Sequence, residues 1–141
     1  MALTHGIKPI VTSGLVLCLD AGNIKSYPGI GTAWTDLSGR GGIGTLTNGP
    51  TYNSANGGSF SFDGIDDYVS SVSNLTLANN FSVSLWLRST NSYPVQEKYI
   101  SLGSDRIVIQ SNENGNLSSY VTDSTQQNLL TWGNKIGRAH V

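Results

Sequence analysis

An antiparallel two-sheet β-sandwich is the fold class this sequence predicts, and three observations predict it. The first is alternation. Phe81-Ser82-Val83-Ser84-Leu85-Trp86-Leu87-Arg88 places Phe81, Val83, Leu85 and Leu87 on one face and Ser82, Ser84, Trp86 and Arg88 on the other, the period-two pattern of a half-buried strand. The second is the density of turn signals, because Gly and Asn take the positive φ angles that tight turns need. They occur at Ala21-Gly22-Asn23, Tyr27-Pro28-Gly29, Ser38-Gly39, Asn48-Gly49-Pro50, Asn56-Gly57-Gly58, Asp63-Gly64 and Asn114-Gly115-Asn116. The third is the lack of helical periodicity: no window keeps apolar residues at i, i+3, i+4 and i+7 for three turns.

Taken in order, the predicted strands are Leu15–Asp20, Gly44–Leu46, Ser59–Asp63, Asp67–Val72, Phe81–Arg88, Tyr99–Gly103, Arg106–Gln110 and Leu117–Thr122. Leu15 to Leu19 is continuously apolar and is expected to be covered on both faces. Phe60 and Phe62 alternate with serines, so both rings are expected to point inward. Ile109 to Tyr120 reads as a hairpin around Asn114-Gly115. Many short strands at this spacing mean a sandwich or jelly roll in a single domain.

Composition supports this and excludes several functions. Ser, Thr, Asn and Gly supply 61 of the 141 residues, while Leu, Ile, Val and Phe supply 36. The polarity is therefore carried by small hydroxyls and amides, which suit strands and turns, and enough apolar material remains for a core. Lys and Arg number 8 against 9 Asp and Glu, a net charge of −1. No basic stripe is available for nucleic acid or for a membrane surface. No apolar run reaches the ~18 residues of a membrane span. Pro9 and Gly14 break the early apolar stretch and Asp20 closes it, so no secretory signal is expected. The single cysteine, Cys18, permits no intramolecular disulfide and reads as a small buried hydrophobe.

The C-terminus, Ile136-Gly137-Arg138-Ala139-His140-Val141, is what one frame of a very common short-read sequencing adapter encodes. Residues 136–141 are expected to be that read-through, leaving 1–135 as a partial domain whose genuine sequence continues further. His140 then carries no functional weight, and His5 is the only other histidine.

The order of motifs resembles the laminin-G-like, concanavalin A-like lectin/glucanase superfamily. The carrying residues are Gly14-Leu15-Val16-Leu17-Cys18-Leu19-Asp20-Ala21, Trp34-Thr35-Asp36-Leu37-Ser38-Gly39, Gly44-Thr45-Leu46-Thr47-Asn48-Gly49-Pro50, Phe60-Ser61-Phe62-Asp63-Gly64-Ile65-Asp66-Asp67-Tyr68-Val69 and Phe81-Ser82-Val83-Ser84-Leu85-Trp86-Leu87. Ser26-Tyr27-Pro28-Gly29 is similar to versions carried by tailed-phage virion proteins. The resemblance implies a jelly-roll sandwich of about a dozen strands, of which this chain supplies about eight. A sandwich short of strands leaves an apolar face and a sheet edge uncovered, so poor solubility or self-association is expected.

Two constellations are candidates for binding. Asp63, Asp66 and Asp67 form the one acidic cluster; the resemblance implies a calcium site, with Asp36 or Asp20 as further ligands from other loops. The competing reading is turn chemistry, in which Asp before Gly accepts its own turn N–H groups. Tyr27, Trp34, Tyr52 and Tyr93, all beside predicted loops, are the candidate platform for sugar rings. Core or edge packing competes at each, and is the commoner fate of any single ring. Trp86 is expected to pack in a second layer.

Catalytic readings fare badly. Glycosidase chemistry needs two neighbouring carboxylates, and the only glutamates, Glu97 and Glu113, sit in no acidic strand pattern. Ser-His-Asp chemistry lacks a credible histidine. Gly39-Arg40-Gly41-Gly42-Ile43-Gly44 matches G-x-G-x-x-G, but a strand and turn follow it where a dinucleotide site needs a helix. The expectation is a non-catalytic module that recognises a surface glycan or host receptor, on a phage tail or fibre or on a cell surface. A structural virion or adhesin domain making protein contacts, and a glycoside hydrolase or lyase remnant, are the alternatives.

Overall fold

The computed structural model describes residues 11–71, 80–89, 97–102, 107–111, 117–122 and 127–131. They are all-β: every strand pair is antiparallel, and the only helical element among them is one 3-10 turn at Ala55–Gly57. The chain divides into two compact units, Met1–Asn80 and Phe81–Val141.

The first unit holds two sheets. β1 (Ala33–Thr35), β2 (Ile43–Thr47) and β5 (Tyr68–Ser71) form one, in the order β1-β2-β5. β3 (Thr51–Asn53) and β4 (Ser59–Ser61) form the other as a hairpin. Trp34 lies opposite Gly44, and Leu46 opposite Val69. A Cβ at position 44 would stand 3.1 Å from Val69 Cγ1 and 3.4 Å from Trp34, so a side chain there requires these neighbours to shift by a few tenths of an ångström.

The hairpin register places Tyr52 directly across from Phe60. Their rings meet Tyr27 at centroid distances of 4.9 and 4.8 Å, and Phe60 meets Trp34 of β1 at 4.8 Å. The two sheets thus pack on each other through rings, in tilted and edge-on geometries that suit aromatic quadrupoles. Tyr27 and Leu46 are the buried apolar residues described here. Behind the hairpin, backbone meets backbone. A Cβ on Gly22 would fall 1.7 Å from the Gly57 carbonyl oxygen, and one on Gly58, which has φ of 87°, would fall 2.5 Å from that of Ala21. No side chain is admitted at either position.

The second unit is a meander, β6 (Lys98–Leu102), β7 (Ile107–Ser111), β8 (Leu117–Thr122) and β9 (Gln127–Thr131), paired in sequence order. Val108 is fully buried. A register shift between Lys98 and Ile100 marks a bulge at Tyr99.

Six of the eight predicted strands are present, within a few residues at their ends. Leu15–Asp20 and Phe81–Arg88 are not strands. Leu15 to Leu19 is half-buried rather than covered on both faces, because it is held to a loop instead of a ladder. Phe81–Arg88 is exposed throughout and has no partner strand among the described residues: Phe81, Val83, Leu85 and Leu87 are 38–40% exposed, and Trp86 is fully exposed. Trp86 is therefore not packed in a second layer. Phe62 is 49% exposed and does not point inward as Phe60 does, because the β4 ladder stops at Ser61. β7 and β8 pair as the predicted hairpin; its turn lies outside the described residues, as do residues 136–141. The glycine-rich 39–44 segment leads into a strand, not a helix.

Candidate functional site

The four candidate aromatics are not gathered on a rim. Tyr27 is 5% exposed, and its hydroxyl donates to the Gly31 carbonyl at 2.9 Å. This overturns its expected exposure: as a loop residue followed by Pro28, it folds back under the hairpin. Trp34 and Tyr52 are half-buried in the same ring cluster, and Tyr52 donates to the Ala21 carbonyl at 3.2 Å. Tyr93 lies outside the described residues. Among the described residues, Trp86 is the fully exposed ring, and its chain neighbours Ser82, Ser84 and Arg88 are exposed too. Its signal was in the alternation, which set it opposite the apolar row.

Asp63, Asp66 and Asp67 are brought together, with one carboxylate oxygen from each lying within 4.8 Å of the others. They already serve the turn. Asp63 Oδ1 accepts from the Ile65 N–H at 2.8 Å and the Asp66 N–H at 3.3 Å, and Asp67 Oδ2 accepts from the Asp63 N–H at 3.0 Å. The Ile65 N–H above all holds the Asp63 carboxyl below its ordinary range. Calcium takes oxygens at about 2.3–2.6 Å, so oxygens on one ion lie at most about 5 Å apart. The cluster meets that span, with three carboxylates of the roughly 6–8 oxygens calcium takes.

Asp20 and Asp36 do not join this cluster. Asp20 Oδ1 accepts from the Gly22 N–H at 2.9 Å. Asp36 is buried, and its carboxylate accepts from the N–H of Cys18 at 2.8 Å, the N–H of Ser38 at 2.8 Å and the Ser38 hydroxyl. Burial raises its carboxyl, but the donors from Ser38, Cys18 and Gly42 outweigh burial and hold it below the usual range. Asp36 is thus a structural acceptor, clamping the Leu15–Asp20 segment to the turn after β1. Cys18 is half-buried beside it, and burial first, then Asp20 and Asp36, push its thiol up. The thiolate is scarce at neutral pH, which suits the expected inert role.

In the second unit the Glu97 carboxylate accepts from Ser89 Oγ at 2.9 Å and from the Tyr99 hydroxyl at 3.2 Å. Its backbone exchanges bonds with Ser111. Glu113 lies outside the described residues. No described helix is long and apolar enough to cross a membrane.

No family model matches the chain, and no curated protein matches it. Among solved structures it is similar to an S-layer domain-containing protein (residues 221–444) from Clostridium thermocellum, at 21% identity and a TM-score of 0.61. The match covers 80% of this chain and 55% of that one, so the chain spans about half of that structure. At this identity the likeness shows the fold alone: an all-β, sandwich-like arrangement.

Proposed function

We propose that this chain is a non-catalytic β-sandwich module, displayed at a cell or virion surface, that binds a surface glycan or host receptor. The observation that carries the reading is Trp86. A fully exposed indole offers an apolar face for the C–H side of a sugar ring, and the exposed Ser82, Ser84 and Arg88 nearby in the chain supply hydroxyls and a guanidinium for its polar edge. The structural likeness to an S-layer domain-containing protein supports a place at the surface. A glycan array probed with the full chain tests this. The expected result is binding to a defined set of glycans that Trp86→Ala weakens about tenfold, the equivalent of ~1.4 kcal/mol. No binding with or without calcium would overturn it.

Calcium is the expected auxiliary. Asp63, Asp66 and Asp67 would hold it, each through a carboxylate oxygen, and it would stiffen the β4–β5 turn. With so few protein ligands, titration calorimetry is expected to show a dissociation constant of about 10⁻⁴–10⁻³ M, abolished by Asp66→Asn. No heat of binding up to about 10 mM would leave turn chemistry as the cluster's whole role.

A second reading, a structural domain making protein contacts, is favoured by the row Phe81, Val83, Leu85 and Leu87, each more than one-third exposed. Leu85→Glu separates the two: it would block assembly and spare glycan binding.

A further inference from the structure

The Val16–Asp20 segment has one satisfied edge and one open edge. On the first, the Cys18 N–H donates to Asp36 and its carbonyl accepts from the Leu37 N–H at 2.8 Å. On that edge too, the Val16 carbonyl accepts from Ser38 Oγ at 3.4 Å, and the Asp20 N–H donates to Ser26 Oγ at 3.1 Å. From Val16 to Asp20 the groups used belong to even-numbered residues, as in an extended chain, where successive residues present their N–H and C=O to opposite edges; Leu15, which donates to the Thr12 carbonyl and accepts from Arg40 Nε, stands before this alternation begins. Leu17 and Leu19 face the other way. Among the described residues, none of their backbone donors or acceptors is hydrogen-bonded.

We propose that the Leu17–Leu19 edge pairs with the same edge of a second copy, antiparallel about a two-fold axis at Cys18. This register is self-complementary. Leu17 of one copy faces Leu19 of the other, each pair exchanging both N–H···O=C bonds, so the open groups of one edge match those of its mate. The ends match in charge. Arg40 is anchored by its Nε on the Leu15 carbonyl at 3.1 Å, and Asp20 is exposed at the other end. Antiparallel pairing brings the Arg40 end of each copy to the Asp20 end of the other. A net charge of −1 adds little repulsion. Half-buried leucines lose further apolar surface in the pair. The proposal is independent of any sugar site.

The register has a chemical reporter. Cys18 faces Cys18 of the second copy at a non-hydrogen-bonded position, where Cα atoms lie about 4.5 Å apart. That is inside the ~4.4–6.8 Å range of disulfides. In the test, the full chain is first sized by light scattering over a dilution series. It is then treated with diamide at about pH 9, where thiolate forms. Diamide takes two electrons and two protons from a thiol pair, leaving a disulfide. The expected result is a dissociable dimer that cross-links rapidly to twice the 15.0 kDa monomer mass. The control is the double variant Cys18→Ser, Val16→Cys, which keeps the edge and moves the thiol along the same face. Its sulfurs belong to Cα atoms about 14 Å apart by strand rise, and it is expected to cross-link at least tenfold more slowly. Leu17→Pro removes one edge donor and is expected to give monomer. Should that variant unfold, the thiol comparison decides the matter. A monomer at every concentration, equal cross-linking by both thiol variants, or slow amide exchange of Leu17 and Leu19 in a monomer would overturn the proposal. The last would mean that another strand covers the edge.

Discussion

Phe60→Ala is expected to unfold the first unit at 25 °C. Phe60 stands within 5.5 Å, centroid to centroid, of three other rings: Tyr27, Trp34 and Tyr52. It joins the hairpin to the three-stranded sheet. Truncating a packed phenylalanine costs about 3–5 kcal/mol, because the cavity only partly collapses. Each lost ring pair adds about 0.5–1.5 kcal/mol within that figure. Small domains have only about 5–15 kcal/mol in total, and here the described buried apolar residues of the unit are Tyr27 and Leu46 alone. The measurement is near-ultraviolet circular dichroism with urea unfolding. Phe62→Ala is the comparison, since it removes the same side chain at a half-exposed position and is expected to cost under about 1 kcal/mol. Equal losses for the two variants would show that the ring cluster is not the core.

The contrast between these phenylalanines shows what was legible. Alternation and turn residues locate β2, β4 to β8 and the hairpin of β7 with β8, because those features follow from the pleat and from positive φ. Asn48, Asn56, Gly49, Gly57 and Gly64 all take positive φ in the turns expected of them. β9 escapes because its adjacent leucines, Leu129 and Leu130, show no alternation, and β1 and β3 escape because each is three residues long, with one inward ring between two small polar or apolar neighbours. Such a strand exists through its partner's register, not through its own pattern. The aromatics show the same thing. Tyr27 and Tyr52 read as rim residues because loops flank them, and only the pairing of Tyr52 with Phe60 reveals the inner face. Conversely, the apolar run of Leu15 to Leu19 looks like a buried strand, yet its hydrogen bonds go to a carboxylate, a hydroxyl and a loop N–H. Apolar content reports burial; it does not report which backbone groups are paired.

That carboxylate makes the second large prediction. Asp36→Ala is expected to cost about 3 kcal/mol, because it leaves the Cys18 and Ser38 N–H groups without their acceptor, each worth about 1–3 kcal/mol when stranded. Asp36→Asn keeps one oxygen and is expected to cost less, about 1 kcal/mol. The two variants also separate charge from geometry through pH. The Asp36 carboxyl titrates lower when folded than its ordinary value of ~3.9, so the unfolded state binds the proton first as pH falls. The stabilisation is present above ~3.9 and is lost as pH drops through the folded value. Wild-type urea midpoints should therefore fall below about pH 4, and Asp36→Asn should remove part of that fall. Asp63 also titrates low, so Asp63→Asn is measured alongside; being exposed, it is expected to remove the smaller part. An Asp36→Asn profile that tracks wild type through acid would show that the charge does not hold the clamp. The Leu15–Asp20 segment would then be fixed by packing alone, and its open edge would have no set direction for a second strand to meet.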